Sequence, residues 1–557
     1  MVLRAPGPYL PGVPPPGCLP CAALALASLV ACAAARAQGP RAGALPLLEI
    51  DLPHDSIPDE PKRVAAMRLA YGGPDRPDTL GGTTVDYVGH VGVERRGSTS
   101  QTLFPKIGYG LELRTAAGAD TSASLLGMPR EEDWVLHGPY SDKTLIRNAF
   151  AYSLAGALTD YAPRVRFVEL VLDGDYRGVY VLTERIKRDG DRVAVARLDA
   201  DDLAGDSLTG GYILKVDKLT AEGRDGIGGF ELPRVPLPRA RATRLLHHYP
   251  RPRDIRREQS DYIRAYVEEF ERRLASPLFD DPSAGYAALV DVNSFVDYLI
   301  VNEVTRNVDA YRLSTFLHKD RDDRPGGGRL RMGPVWDFNL ALANAGYCGG
   351  PQSDGWAFAF NDYCPDDPFY APFWYPRLLA SSLFRGRLAE RYSALRQNGA
   401  LADAAIFARF DSLAAAVPEA AARRNFARWP VLGEYTWPNA FVPDSRAEAL
   451  GHARDYLARR LAWLDRAIAS LTPPPGELEL AFGPNPGYAD ARLRGVPPEA
   501  FPAEVSWLDE AGRLLATAVV ASAEEVAVPS AAGFYVCRLV SVDGATALGR
   551  FVGLGTR

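Results

Sequence analysis

The first third of the chain is dominated by short runs in which apolar and polar residues alternate. LLEIDLP (47–53), VAAMRLAYGG (64–73), YVGHVGVERRG (87–97) and, after Pro105, KIGYGLELRT (106–115) read as β-strands separated by turn-forming residues. The period then lengthens. Ser141 and Asp142 can cap a helix over KTLIRNAFAYSLAGAL, where Leu145, Phe150, Leu154 and Leu158 form one apolar stripe. VRFVELVL and GVYVLTERI follow as a strand pair around Asp173-Gly174-Asp175-Tyr176-Arg177, a hairpin turn signal. Together these elements predict a mixed α+β unit built on an antiparallel sheet.

From about 258 to 475 the pattern is mostly helical. Ile263, Tyr266, Val267, Phe270 and Leu274 share one face of the first helix, and Phe295, Tyr298, Leu299 and Asn302 share one face of the second. Between 312 and 337, RLSTFLHK and RLRMGPVW read as strands joined by the solvated loop DRDDRPGGG. Pairing them about that loop sets Arg312 opposite Trp336 and Ser314 opposite Pro334. Helical patterns resume after 376 and run to Leu471. Pro473-Pro474-Pro475 marks a linker over 471–476. Beyond it EVSWLDEAGRLLATAVV, EEVAVP and GFYVCRLVSVDGATALGRFVGL read as strands, which suits a small all-β sandwich over 477–557.

The 557 residues carry a net charge of -6, so no overall basic field favours nucleic acid as a partner. Only seven of the 63 basic residues are Lys, at 62, 106, 143, 187, 215, 218 and 319, which draws attention to each of them. With seven His and no H-x-x-x-H or C-x-x-C spacing beyond the first 21 residues, a structural zinc site has little support. The apolar run LPCAALALASLVACAAA before Ala35-Arg36-Ala37 reads as a secretory signal over 1–37. Leu29-Val30-Ala31-Cys32 offers an alternative, a lipoprotein box with Cys32 lipidated; the two uses exclude each other. Export makes a disulfide between Cys348 and Cys364 the expected state, with Cys537 left free.

The hairpin pairing brings Asp309 and Asp337 together at its open end. Two carboxylates ~4 Å apart repel by roughly 4 kcal/mol at an effective dielectric near 20, so they need a cation, a shared proton or more distance. A divalent metal holding phosphates resolves this; two turn-capping aspartates are the bland alternative.

At these residues the chain resembles the CotH-type (spore coat protein H) kinases over about residues 46–470. The resemblance lies in ERRGSTSQTLFPKIGYGLEL, LLGMPREEDWVLHGPYSDKTLIRNAFAYSL, FVELVLDGDYRGVYVLTERIKRD, GGYILKVDK, NVDAYRLSTFLHKD and GPVWDFNLALANAGYCGG, in that order. It implies a two-lobed, atypical protein-kinase-like fold with an N-lobe over about 46–186 and a mostly helical C-lobe over about 187–470. It also implies ATP and Mg²⁺ or Mn²⁺ as cofactors, and a protein hydroxyl as acceptor. Asp309 matches the catalytic-loop carboxylate and Asp337 the metal-binding one. Ser314 stands where the kinase pattern has a metal-binding Asn, a departure that weakens a second metal. Lys106 and Arg96 are the implied phosphate contacts, and Glu184 falls in the nucleotide region. There is no G-x-G-x-x-G loop. FGPNP, WLDEAGRLL and GFYVCRLVSVDG resemble the type IX secretion sorting domain, which implies that secretion machinery as a partner, a secreted or cell-surface location in a bacterium, and a secreted or surface protein as acceptor.

Three functions fit these residues: an exported kinase, a catalytically silent kinase-like surface module, and a carbohydrate hydrolase using Asp309 and Asp337 as its acid and base. Metal-dependent ATP binding separates them.

Overall fold

The computed structural model describes residues 44–52, 56–71, 84–218, 228–238 and 240–471, and most of 480–555. The signal segment with Cys32 and the proline linker lie outside the described residues.

The first strands close on themselves. β1 (Leu47–Asp51), β2 (Arg63–Tyr71), β3 (Thr84–Arg96), a short helix α1 (Thr99–Leu103), β4 (Gly108–Arg114), β5 (Asp133–His137), α2 (Arg147–Ala155), β6 (Val165–Leu172) and β7 (Asp175–Glu184) follow in order. Their strands form a barrel in the order β1-β2-β3-β4-β5-β7-β6. The expected antiparallel sheet is therefore closed, by a parallel pairing of β1 with β6 that sets Leu47 beside Glu169. Alternation explains the filling: Ala65, Met67 and Leu69 of β2, Leu111 and Leu113 of β4, and Val168 and Leu170 of β6 all point into one buried core.

The predicted helix starts later than its apolar stripe. Asp142 accepts from the Thr144 and Arg147 amides at 3.0 and 2.9 Å and pairs with the Arg147 guanidinium, so residues 142–146 form a turn ahead of α2. Its stripe residues Leu145, Phe150, Leu154 and Leu158 pack into a second core rather than the barrel.

Most of that core comes from the elements that follow, and Phe167 of β6 with Val179 and Val181 of β7 join it from the barrel. The chain continues through α3 (Gly205–Leu208), β8 (Tyr212–Val216), β9 (Gly229–Glu231), β10 (Arg244–Tyr249), α4 (Arg257–Ala275), α5 (Val292–Thr305), β11 (Thr315–Lys319) and β12 (Leu330–Met332), then through helices alone. These are α6 (Phe360–Tyr363), α7 (Trp374–Leu378), α8 (Ser382–Asn398), α9 (Asp403–Ala415), α10 (Glu419–Arg428) and α11 (Arg446–Ala469). The strands make one sheet, β12-β11-β8-β10-β9. Among the described residues no helix is long and apolar enough to cross a membrane.

The β11–β12 hairpin differs from its expected register by one residue: Leu317 faces Met332 and His318 faces Arg331. The ladder also ends early, on the Gly333 amide donating to Phe316 O at 2.8 Å. Gly333 has φ +104° and Pro334 has no N–H to donate, so the chain peels away. Arg312 and Trp336 are consequently not strand partners, nor are Ser314 and Pro334.

The C-terminal strands β13 (Ala481–Gly483), β14 (Arg492–Arg494), β15 (Ala503–Asp509), β16 (Leu514–Val520), β17 (Ala532–Ser541) and β18 (Thr546–Leu554) form a two-stranded and a four-stranded sheet. They share a core of their own around Phe482, Trp507, Cys537 and Phe551. EEVAVP is not a strand: Ala523–Glu525 is a single 3-10 turn. The architecture as a whole is α+β. Cys348 and Cys364 form the expected disulfide, and Cys537 is free and buried.

Candidate functional site

α5 ends where Arg306 adopts a left-handed conformation at φ 43°, turning the chain into Asn307-Val308-Asp309. The turn closes on itself, with the Ala310 amide donating to Asn307 O at 3.0 Å and the Leu313 amide to Asp309 O at 3.1 Å. Asp309 is held from the side. Arg312 donates to its Oδ1 at 2.5 Å and the Tyr347 hydroxyl reaches the same oxygen at 3.4 Å.

Asp337 arrives from the other direction, on the strand-like stretch that leaves β12. Its amide donates to the Tyr152 hydroxyl at 3.0 Å, and the next amide, that of Phe338, donates to Asn148 Oδ1 at 2.7 Å, so α2 fixes this loop. Asn307 Nδ2 donates to Asp337 O at 3.1 Å, which joins the two aspartate loops directly. Trp336 is stacked on Tyr152, with ring centroids 5.9 Å apart, and the Arg96 guanidinium lies 5.8 Å from its centroid. β3 thus delivers Arg96 to Asp337.

β8 contributes the third side. At its end the Lys218 ammonium donates to Thr99 Oγ1 of α1 at 2.9 Å and lies 5.6 Å from the Phe369 ring. Asp217, beside it, pairs with Lys215 at 3.3 Å.

The electrostatics follow from this crowding. Asp337 is exposed to solvent but sits close among protein groups, which pushes its carboxyl up to about 7; Asp309 and Asp217 push the same way, while Lys218 and Arg96 oppose. Burial also raises Asp309, against the pull of Arg312 and Lys218. Burial and then Arg185 lower the Arg96 guanidinium to about 10. Among the described residues no side chain hydrogen-bonds the Asp337 carboxylate, which is exposed to solvent.

Other residues singled out in the sequence lie elsewhere. Lys106 is 2% exposed; its ammonium donates to Val179 O and Asn425 Oδ1, both at 2.7 Å, beneath the Tyr180 ring. It clamps α10 to β7, and its hydrogen bonds are made there, not at the aspartates. Glu184 is fully buried and committed to Arg164 at 2.8 Å and Arg192 at 3.4 Å. Ser314 is half-buried with φ 48°, and its hydroxyl hydrogen-bonds neither aspartate. Among the described residues, the group of three carboxylates close enough to share a metal is Glu131, Glu132 and Asp133. Lys187 already spans it at 2.9, 2.7 and 3.0 Å. A cation at Asp337 would instead depend on ligand oxygens to complete its shell, the arrangement usual for Mg²⁺ bound with phosphates.

Residues 93–464 match a protein family described as CotH kinase protein. The chain belongs to this family. The match runs from β3 into α11, so it contains Arg96, Lys218, Asp309 and Asp337 and excludes the C-terminal sheets. No curated protein matches the chain.

Within this CotH family region, sequence reasoning noted Lys218 only as one of seven scarce lysines and gave no site role to it or to Asn307, Arg312 or Tyr347. Lys218 carried one available signal, as a rare lysine directly after Asp217 at a strand end. Asn307 stands two residues before Asp309, close enough to cap its turn. Nothing in the sequence ties Tyr347 to Asp309.

Proposed function

We propose that the cleft binds ATP with Mg²⁺ or Mn²⁺ and transfers a phosphoryl group to a hydroxyl of a secreted or surface protein, in a two-lobed, kinase-like arrangement. The observation that carries this reading is the unpartnered Asp337 carboxylate beside Asp309, flanked by Lys218 and Arg96. Phosphoryl transfer asks a protein for position and charge neutralisation more than for covalent chemistry. A divalent ion at Asp337 supplies neutralisation of phosphate charge.

Asp309 orients the acceptor hydroxyl and takes its proton. Its upward shift makes it a stronger base than a free aspartate, and Arg312 keeps it ionised and aimed. Lys218 and Arg96 meet phosphate oxygens from the β8 and β3 sides. In this reading they take the place given above to Lys106, whose ammonium stays with Val179 and Asn425. Ser314 and Glu184 have no assigned role in the transfer.

The disulfide supports an oxidising compartment and hence export by the 1–37 signal, with lipidation at Cys32 as the alternative anchor. The separate core of the C-terminal sheets supports their use as a detachable sorting unit for type IX secretion machinery. The test is transfer of labelled γ-phosphate from ATP to a generic protein acceptor by the purified, oxidised chain. Incorporation that needs the metal and is lost in Asp309→Ala supports the kinase; metal-dependent ATP binding without any transfer replaces it with the silent module.

A further inference from the structure

Asp309 is steadied by a segment that lies after it in sequence and is closed by the disulfide. Tyr347, whose hydroxyl reaches Asp309, immediately precedes Cys348. Asp367, three residues past Cys364, accepts from Arg312 Nη1 at 3.2 Å, and Phe369 O accepts from the same nitrogen at 3.2 Å. Arg312 is 3% exposed at its side chain and lies 3.9 Å from the Phe360 ring centroid, inside the loop that the disulfide closes. The fork therefore holds Asp309 with one nitrogen and the disulfide segment with the other.

Beneath it sits a small core made of Val308, Leu340, Ala345 and Phe360, against which Tyr347, Cys348 and Cys364 pack. Of the residues between the two cysteines only Phe360 belongs to this small core, which lies next to the cross-link, whereas Phe358 is buried in the main core. The segment has a second set of anchors that does not depend on sulfur. Glu303 accepts from the Ala357 and Phe358 amides at 2.8 and 3.1 Å, and Arg460 donates to Gly355 O. Loss of the disulfide is thus expected to loosen the rim near Asp309 while leaving the base of the segment docked.

We infer that Arg312 is the positioning residue for Asp309, and that the Cys348–Cys364 disulfide makes this positioning depend on the redox state of the chain. This rests on the kinase reading for its catalytic consequence only. Under a dithiol reductant the S–S bond breaks to two thiols, two electrons and two protons come from the reductant, and the reductant closes its own disulfide. Cys537 takes no part, being buried and already a thiol.

The test compares oxidised and reduced full-length protein, reduction being confirmed by mass. Hydrogen exchange is followed over 307–313, with α11 as the internal reference. Reduction should speed exchange over 307–313 and leave α11 unchanged. It should also lower kcat for phosphate transfer roughly 10- to 100-fold, as expected when a base is displaced by about 1 Å, and leave the Kd for ATP with metal within about twofold. The double variant Cys348→Ser/Cys364→Ser should behave as the reduced form and ignore the reductant. Arg312→Lys, which keeps the charge but not the fork, should lower kcat with little change in KM. Unchanged exchange over 307–313 on full reduction overturns the inference, as does an unchanged kcat. If the oxidised protein transfers no phosphate at all, the kinase reading fails, and the exchange measurement still decides the positioning claim.

Discussion

Asp337→Asn should stabilise the metal-free protein at neutral and higher pH. In the folded chain the Asp337 carboxyl is raised from 3.8 to about 7, first by surrounding protein and then by Asp309 and Asp217. A carboxyl shifted upward destabilises the fold wherever the unfolded chain has already lost its proton. The contribution is absent below the unfolded value, grows as pH rises from about 4 to about 7, and is constant above that. One unit is worth about 1.4 kcal/mol, which gives ~4 kcal/mol for the whole shift in a dry site. Asp337 is exposed to solvent, and solvent screening reduces this to about 1–2 kcal/mol. Differential scanning calorimetry in chelator at pH 8 should show the variant unfolding roughly 1–2 °C above the parent, since a unit of this length has a large unfolding entropy. The difference should shrink towards zero near pH 4. Adding Mg²⁺ or Mn²⁺ with ATP should raise the parent's transition and not the variant's. A variant less stable than the parent at pH 8 without metal would refute the reasoning, because it would mean that Lys218 and Arg96 already use this carboxylate to hold the fold.

Three further outcomes follow from the same geometry. Asp309→Ala should lower phosphate transfer by about 10² to 10⁴, the usual loss of a general base, while the Kd for ATP measured by calorimetry stays near the parent value. Lys218→Ala should weaken ATP binding roughly 10- to 100-fold, the equivalent of one charge-assisted hydrogen bond, whereas Lys106→Met should cost about 1–3 kcal/mol of stability in denaturant titration and leave the affinity of the folded protein unchanged; the reverse pattern would return the phosphate contact to Lys106. Deleting residues 476–557 should leave the main thermal transition and ATP binding intact, since the C-terminal core shares no residue with the others, and a lowered main transition would contradict that.

Six of the seven barrel strands were legible, β2 through its clean alternation at Ala65, Met67 and Leu69; β5, buried at four of its five positions, carries no alternation and was not read as a strand. Its closure was not, since the β1–β6 pairing joins segments more than a hundred residues apart and no local pattern encodes it. The meeting of Asp309 and Asp337 was anticipated from a hairpin drawn too long and one residue out of register. The two aspartates approach for a different reason: Asn307 ties their loops together, and Tyr152 holds the Asp337 loop on α2. Scarcity of lysine drew attention to Lys106 and Lys218 alike, but scarcity says nothing about where an ammonium points. The disulfide was readable from two cysteines in one loop of a chain expected to be exported. Its link to Asp309 through Arg312 depends on Asp367 and Phe369 coming back past the turn, which only the folded chain shows.

The central claim is that this cleft holds ATP through a cation at Asp337. Calorimetric titration of the oxidised protein with ATP tests it most directly, with and without Mg²⁺ or Mn²⁺, on the parent, Asp309→Ala and Asp337→Ala. The account predicts binding only when metal is present, retained in Asp309→Ala and lost in Asp337→Ala. Absence of binding with either metal, or undiminished metal-dependent binding in Asp337→Ala, would contradict it.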